Sequence, residues 1–179
     1  MRKIALSILI YLLTSVSVGA CNYIISNFGD SKEDLMKDLN NNIPPNFIPD
    51  QFGGETNMVP IEFLCEGDDF LSGTMVHYLF VDNKLVEVKL ERFNIKNDAK
   101  LMDYAMEKFG KFDLPIGIGP KQNFIGNHFW KKGNREIEYI STNIHDGHVE
   151  MLAIVSMSYS YELSNYYEKV GKWLDEQKY

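Results

Sequence analysis

Hydrophobic and polar positions are best ordered between residues 76 and 112, and this stretch predicts the first elements. His77-Tyr78-Leu79-Phe80-Val81 is a run of aromatic and β-branched residues. Asp82-Asn83-Lys84 follows, and Asp and Asn tolerate the left-handed backbone of a short hairpin turn. From Val86 to Glu91 apolar and charged residues alternate strictly. That period predicts a half-buried strand, with Val86, Val88 and Leu90 on the core face and Glu87, Lys89 and Glu91 in water. Leu101, Met102, Ala105, Met106 and Phe109 then recur at three- and four-residue spacing, the stripe of an amphipathic helix. Asn94 or Asn97 is its expected cap, Asp98 suits its first turn, and Gly110 is its stop. Folding the helix onto the hairpin buries both apolar faces.

The same tests extend to the rest of the chain. Ser31 with Asp34 three residues later predicts a capped helix bearing Leu35, Met36, Leu39 and Ile43, ended by Pro44-Pro45. Residues 46–60, with Pro, Gly and Asn, read as a loop, and residues 60–65 as a short strand. Glu66-Gly67-Asp68-Asp69 reads as a solvated turn, since its spacing does not match a calcium loop. Residues 111–127 hold Gly117-Ile118-Gly119-Pro120, which opens no helix and so reads as a connection long enough to bind something, not a phosphate cradle. Strands are predicted at 128–130 and 135–141, the latter with Ile137 and Tyr139 opposite Glu136 and Glu138. A turn at Asp146-Gly147 leads to residues 149–159, apolar on both faces at the start and so a central strand. A last helix over 161–177, capped by Ser160, carries Leu163, Tyr166, Tyr167, Val170, Trp173 and Leu174 on one stripe. The expected fold is α+β: an antiparallel sheet of about five strands, two main amphipathic helices packed on one face, and a short N-terminal helix.

The first 20 residues follow a different rule. Arg2 and Lys3 precede an uncharged run from Ile4 to Val18, and small residues lead to Cys21, the architecture of a secretory signal. Val18-Gly19-Ala20-Cys21 resembles the lipobox of bacterial lipoproteins. That resemblance implies cleavage before Cys21 and lipid on its sulfur and new amino terminus. Asn22 is not the aspartate that, in enteric-type bacteria, holds such proteins in the inner membrane, so an outer-membrane lipoprotein facing the periplasm is expected. The alternative is a soluble periplasmic or secreted protein in which Cys21 pairs with Cys65, the only other cysteine. The organisation expected is a signal peptide (1–20), a tether (21–30) and a single domain (31–179).

Charge and chemistry narrow the function. The net charge of −7 becomes −9 once Arg2 and Lys3 leave with the signal, which disfavours nucleic acid as a partner. His145 and His148 flank a turn but lack the third and fourth ligands that zinc needs, so no metal and no cofactor is expected. Gly-x-Ser-x-Gly and His-Glu-x-x-His are both absent, and no catalytic residue is assigned. Trp130, His145, His148, Tyr166 and Tyr167 are the candidates for a partner or ligand surface, since amphipathic rings are favoured at interfaces. The leading expectation is a non-enzymatic envelope protein that binds a protein partner in an inhibitor, immunity or assembly role. A second is a small-ligand or lipid carrier using a sheet face of Val86, Val88, Leu90, Ile137 and Tyr139. A third is a hydrolase assembled from distant residues.

Overall fold

The structure, a computed structural model, describes residues 27–39, 46–65, 70–93, 98–117, 121, 124–145 and 147–177. In chain order the elements are α1 (Lys32–Asp38), β1 (Phe47–Pro49), β2 (Gly54–Pro60), β3 (Met75–Val81), β4 (Lys84–Phe93), α2 (Lys100–Phe109), β5 (Gly126–Lys132), β6 (Arg135–Ile144), β7 (Gly147–Ser156) and α3 (Ser160–Glu176). The strands form one sheet in the order β1-β2-β3-β4-β7-β6-β5, antiparallel at every step. Two meanders, β1 to β4 and β5 to β7, therefore join along β4 and β7, with α2 on the connection between them.

This architecture corrects the expected one in two respects. The sheet has seven strands instead of about five, and its helices lie on both faces instead of one. The two extra strands fall in residues 46–60, read above as a loop. Pro49 closes an edge strand, where its missing N–H costs no ladder bond. Asp50 Oδ1 accepts from the Phe52 and Gly54 amides at 2.7 and 3.0 Å, so the Pro, Asp and Gly that looked like loop composition form one tight turn between strands. The strand expected at 60–65 is instead a single 3-10 turn, Ile61–Phe63, that buries Ile61. The strand expected to reach 159 stops at Ser156, whose Oγ accepts from the Ser158 amide.

On the first face, α1 and α2 cover Val76, Tyr78, Phe80, Val88, Leu90, Ile137, Tyr139, Leu152 and Ile154, all essentially inaccessible. On the second face α3 lies over β3 and β4, where Leu163 meets Leu79, Val81 and Val86. A β-bulge divides the two sets. Leu79 pairs with Glu87 but Phe80 pairs with Leu85, so Val86 is the extra residue. Val86 is thereby turned toward α3, away from Val88 and Leu90, and the single alternating face expected from Val86 to Leu90 does not exist. The turn before it is as the sequence predicts: Asp82 and Asn83 have φ of 51° and 58°, the left-handed pair that suits a two-residue hairpin.

The start of α2 is built from three segments. Asn94 and Asn97 lie outside the described residues. The N-cap position is Ala99, left-handed at φ 50° and without a capping side chain. Glu150 of β7 takes that role, its carboxylate accepting from the Met102 amide at 3.2 Å, the Leu101 amide at 3.4 Å and the Tyr139 hydroxyl at 2.7 Å. Arg92 bridges Asp98 at 2.8 Å and approaches Glu150 at 3.9 Å. α1 begins as expected, with Ser31 Oγ accepting from the Asp34 amide. Of the expected tether, residues 21–26 lie outside the described residues, and Gly29 and Asp30 bond the backbone of Leu85 from both sides.

Candidate functional site

Among the described residues, helix α3 lies over β3 and β4 and leaves the second face of β6 and β5 open. Strand register puts Phe129, Glu138, Ala153 and Lys89 in one row across that face, and Lys131, Glu136, Val155 and Glu87 in the next. Between these rows and α3 runs a groove of about 390 Å³. Its floor is Ala153, Val155, Met151 and Ile140; Leu163 and Tyr167 form one wall and Phe129, 61% exposed, the other. The volume lies at the lower end of ligand-pocket sizes, enough for a few side chains.

The groove's polar atoms are mostly acidic. Glu87 is buried and accepts from the Tyr167 hydroxyl at 2.7 Å. Burial raises the Glu87 pKa above the usual carboxylate range, against the pull of that hydrogen bond. Burial, then the Glu87 charge, raises the Tyr167 hydroxyl in turn, so it stays a donor. Glu136 pairs with Lys131 at 3.0 Å, and Glu138 accepts from the Asn127 amide group at 3.2 Å. Lys89 also lines the groove and lies 3.7 Å from Glu91. Beside it His77 Nε2 sits 3.0 Å from Glu91 Oε2 without hydrogen-bond alignment. Burial, with Lys89 adjacent, pushes the His77 pKa down to about 4.

The position of α3 is fixed from β1–β2. The Tyr166 hydroxyl donates to Asp50 Oδ2 at 2.6 Å, and Phe52 packs edge-on against Tyr166 and Trp173 at 6.5 and 5.9 Å. Burial pulls Asp50 upward, but the hydrogen bonds from Tyr166, Gly54 and Phe52 outweigh it and hold its pKa below the usual value.

The candidate residues named from sequence are not brought together. Trp130 is 9% exposed, on the first face, where Nε1 donates to the Gly110 carbonyl at 2.9 Å and the ring meets Phe109 and Phe112. It belongs to the core. Tyr166 and Tyr167 stand on α3 at the second face, and only Tyr167 lines the groove. His145 and His148 sit at the β6–β7 turn, His145 exposed and His148 half-buried. Among the described residues no three His, Cys, Asp or Glu side chains form a metal-ion site. The sheet face proposed for a carrier, Val88, Leu90, Ile137 and Tyr139, is sealed beneath α1 and α2, and Val86 is sealed beneath α3.

One cluster has the outline of a nucleophile with its base. Ser141 Oγ lies 2.9 Å from His148 Nε2, and His148 Nδ1 lies 3.0 Å from Asn143 Oδ1. The Ser141 hydroxyl is not free for that chemistry. Ser141 is 2% exposed and its hydroxyl donates to the Phe124 carbonyl at 2.6 Å. The hydroxyl proton is thus held on a backbone carbonyl, and the buried oxygen is not presented to a substrate. The cluster ties the loop before β5 to β6.

Sequence reasoning missed the groove because Glu87, Glu136 and Glu138 read as an ordinary solvent face. Two signals pointed to it: a large aromatic, Phe129, on an outward position, and Met151, Ala153 and Val155 making the outer face of a central strand apolar around one small residue. Comparison with protein-family models, curated proteins and solved structures finds no match for this chain.

Proposed function

We propose that this chain is an exported, non-enzymatic binding module of the bacterial envelope that seats a protein partner in the groove between α3 and β5. The observation that carries the reading is the groove itself: an apolar floor, aromatic walls at Phe129 and Tyr167, and position on a rigid sheet. The lipobox resemblance supports attachment through lipid on Cys21 to the outer membrane, facing the periplasm. Inhibitor, immunity and assembly roles all suit a small anchored domain of this kind. A hydrolase has less support, because the Ser141 hydroxyl is buried and engaged. The test is capture from cross-linked envelopes with tagged wild-type protein and with Phe129→Asp. A stoichiometric protein recovered by the wild type and lost in the variant is expected; recovery of none, or of the same set by both, overturns the reading.

A second reading of the anchor is favoured by one observation. Cys65 is 5% exposed and disulfide-bonded. The chain's other cysteine is Cys21, which lies outside the described residues. A sulfur joined to Cys65 cannot carry a thioether-linked lipid, so a disulfide within one chain supports a soluble periplasmic protein instead. Intact mass of the protein from membranes and from the periplasm decides: a diacylglyceryl adduct supports the anchor, and an unmodified chain that gains two mass units on reduction supports the disulfide.

A further inference from the structure

We propose that the segment seated in the groove is cationic: a stretch of the partner in which an apolar side chain is flanked by lysine or arginine. This rests on the binding-module reading above and adds the chemistry of the partner. The groove is lined by three carboxylates, Glu87, Glu136 and Glu138, and one ammonium, Lys89. Glu136 has Lys131 at 3.0 Å, but the partner of Glu138 is the neutral amide of Asn127. Glu138 and Glu136 both lean toward β5, the edge from which a segment enters. Across the register row Glu138 faces Ala153, the smallest floor residue, so an apolar side chain standing on Ala153 brings its neighbours to the Glu138 carboxylate.

Competing occupants fit less well. An anionic headgroup or a fatty-acid carboxylate would meet the Glu136 and Glu138 carboxylates at close range. A bare metal ion would find the apolar floor and Lys89 beside it. The net charge of −7 over the whole chain draws a basic segment from a distance as well, which raises its rate of encounter. The β5 edge pairs only with β6 among the described residues, so its outer backbone groups are open to an extended segment alongside Phe129.

The experiment uses a defined probe, a fluorescent heptapeptide of alternating lysine with leucine or phenylalanine, and its counterpart with glutamate for lysine. Anisotropy and backbone-amide chemical shifts are read on wild-type protein, Phe129→Ser and Glu138→Lys, each first shown folded by circular dichroism. The lysine peptide is expected to bind, to shift amides around Phe129, Glu138, Ala153 and Tyr167, and to weaken at least about tenfold in Glu138→Lys, which replaces an attraction with a repulsion. Equal affinity for the glutamate peptide, shifts spread over the whole surface, affinity unchanged in both variants, or preferential binding of oleate or phosphatidylglycerol vesicles would each overturn the proposal. Failure here is separable from failure of the broader reading. A captured partner whose cross-links avoid the groove sinks only the cationic segment, whereas peptide binding with no captured partner sinks the module reading alone.

Discussion

Replacing Glu150 tests how the two halves of the sheet are tied to α2. Its carboxylate is fully buried and holds two amides at the open end of α2, the Tyr139 hydroxyl and, at longer range, Arg92. Ala99 at the N-cap has no side chain to take over. In Glu150→Ala, two helix amides and a buried hydroxyl lose their acceptor, and Arg92, with 5% of its side chain exposed, keeps only Asp98 among the described residues. Loss of an N-cap costs about 0.5–2 kcal/mol, and removal of one member of a buried charged cluster about 3–5 kcal/mol. These overlap, so the expected loss is about 4 kcal/mol, a large part of the roughly 5–15 kcal/mol that a domain possesses. For a domain of this length that corresponds to a fall in Tm of about 10 °C. Glu150→Gln keeps one carbonyl acceptor and most of the volume and should lose about half as much. Urea unfolding followed by fluorescence gives both values. A loss below about 1 kcal/mol in Glu150→Ala, or equal losses in the two variants, would refute the capping argument.

Three further outcomes are expected. His77 titrates near 4 in the fold against 6.5 when unfolded, so its contribution is complete above pH 6.5 and is lost as pH falls from 6.5 toward 4, by about 3 kcal/mol at most; an NMR midpoint above 6.5 would show that Glu91 outweighs burial. Glu87 has the opposite sign: its raised pKa means stability present below the usual carboxylate value of 4.5 and lost as pH rises above it, so Glu87→Gln should be neutral or stabilising at pH 7 and steepen the rise of stability with pH above 4.5. A marked loss of stability in Glu87→Gln at pH 7 would contradict this. Gly29 has φ 98°, and an added Cβ would collide with the Tyr159 hydroxyl, so Gly29→Ala should cost more than about 1 kcal/mol in thermal unfolding; an unchanged Tm counts against the docking of residues 27–30.

Features controlled by neighbouring residues were legible in the amino-acid order. Asp82-Asn83 specified the hairpin, Ser31 and Asp34 started α1, Gly110 stopped α2, and period-2 alternation placed Ile137 and Tyr139 opposite Glu136 and Glu138. Each of these depends on residues within a few positions of one another. What depends on distant pairing stayed hidden. β1 is held by β2 and β2 by β3, and their Pro, Asp and Gly fit loop and turn alike. The bulge at Val86 is a feature of the pairing of β4 with β3, and one extra residue reverses the faces without altering the alternation visible in sequence. The cap of α2 comes from Glu150, about fifty positions away along the chain. The groove was hidden for the same reason. Glu87, Glu138, Ala153 and Tyr167 belong to four separate elements, and only tertiary packing decides that α3 crosses β3 and β4 and stops short of β5. Alternation determined which side chains point outward; the placement of α3 decided which of those meet water and which line a site.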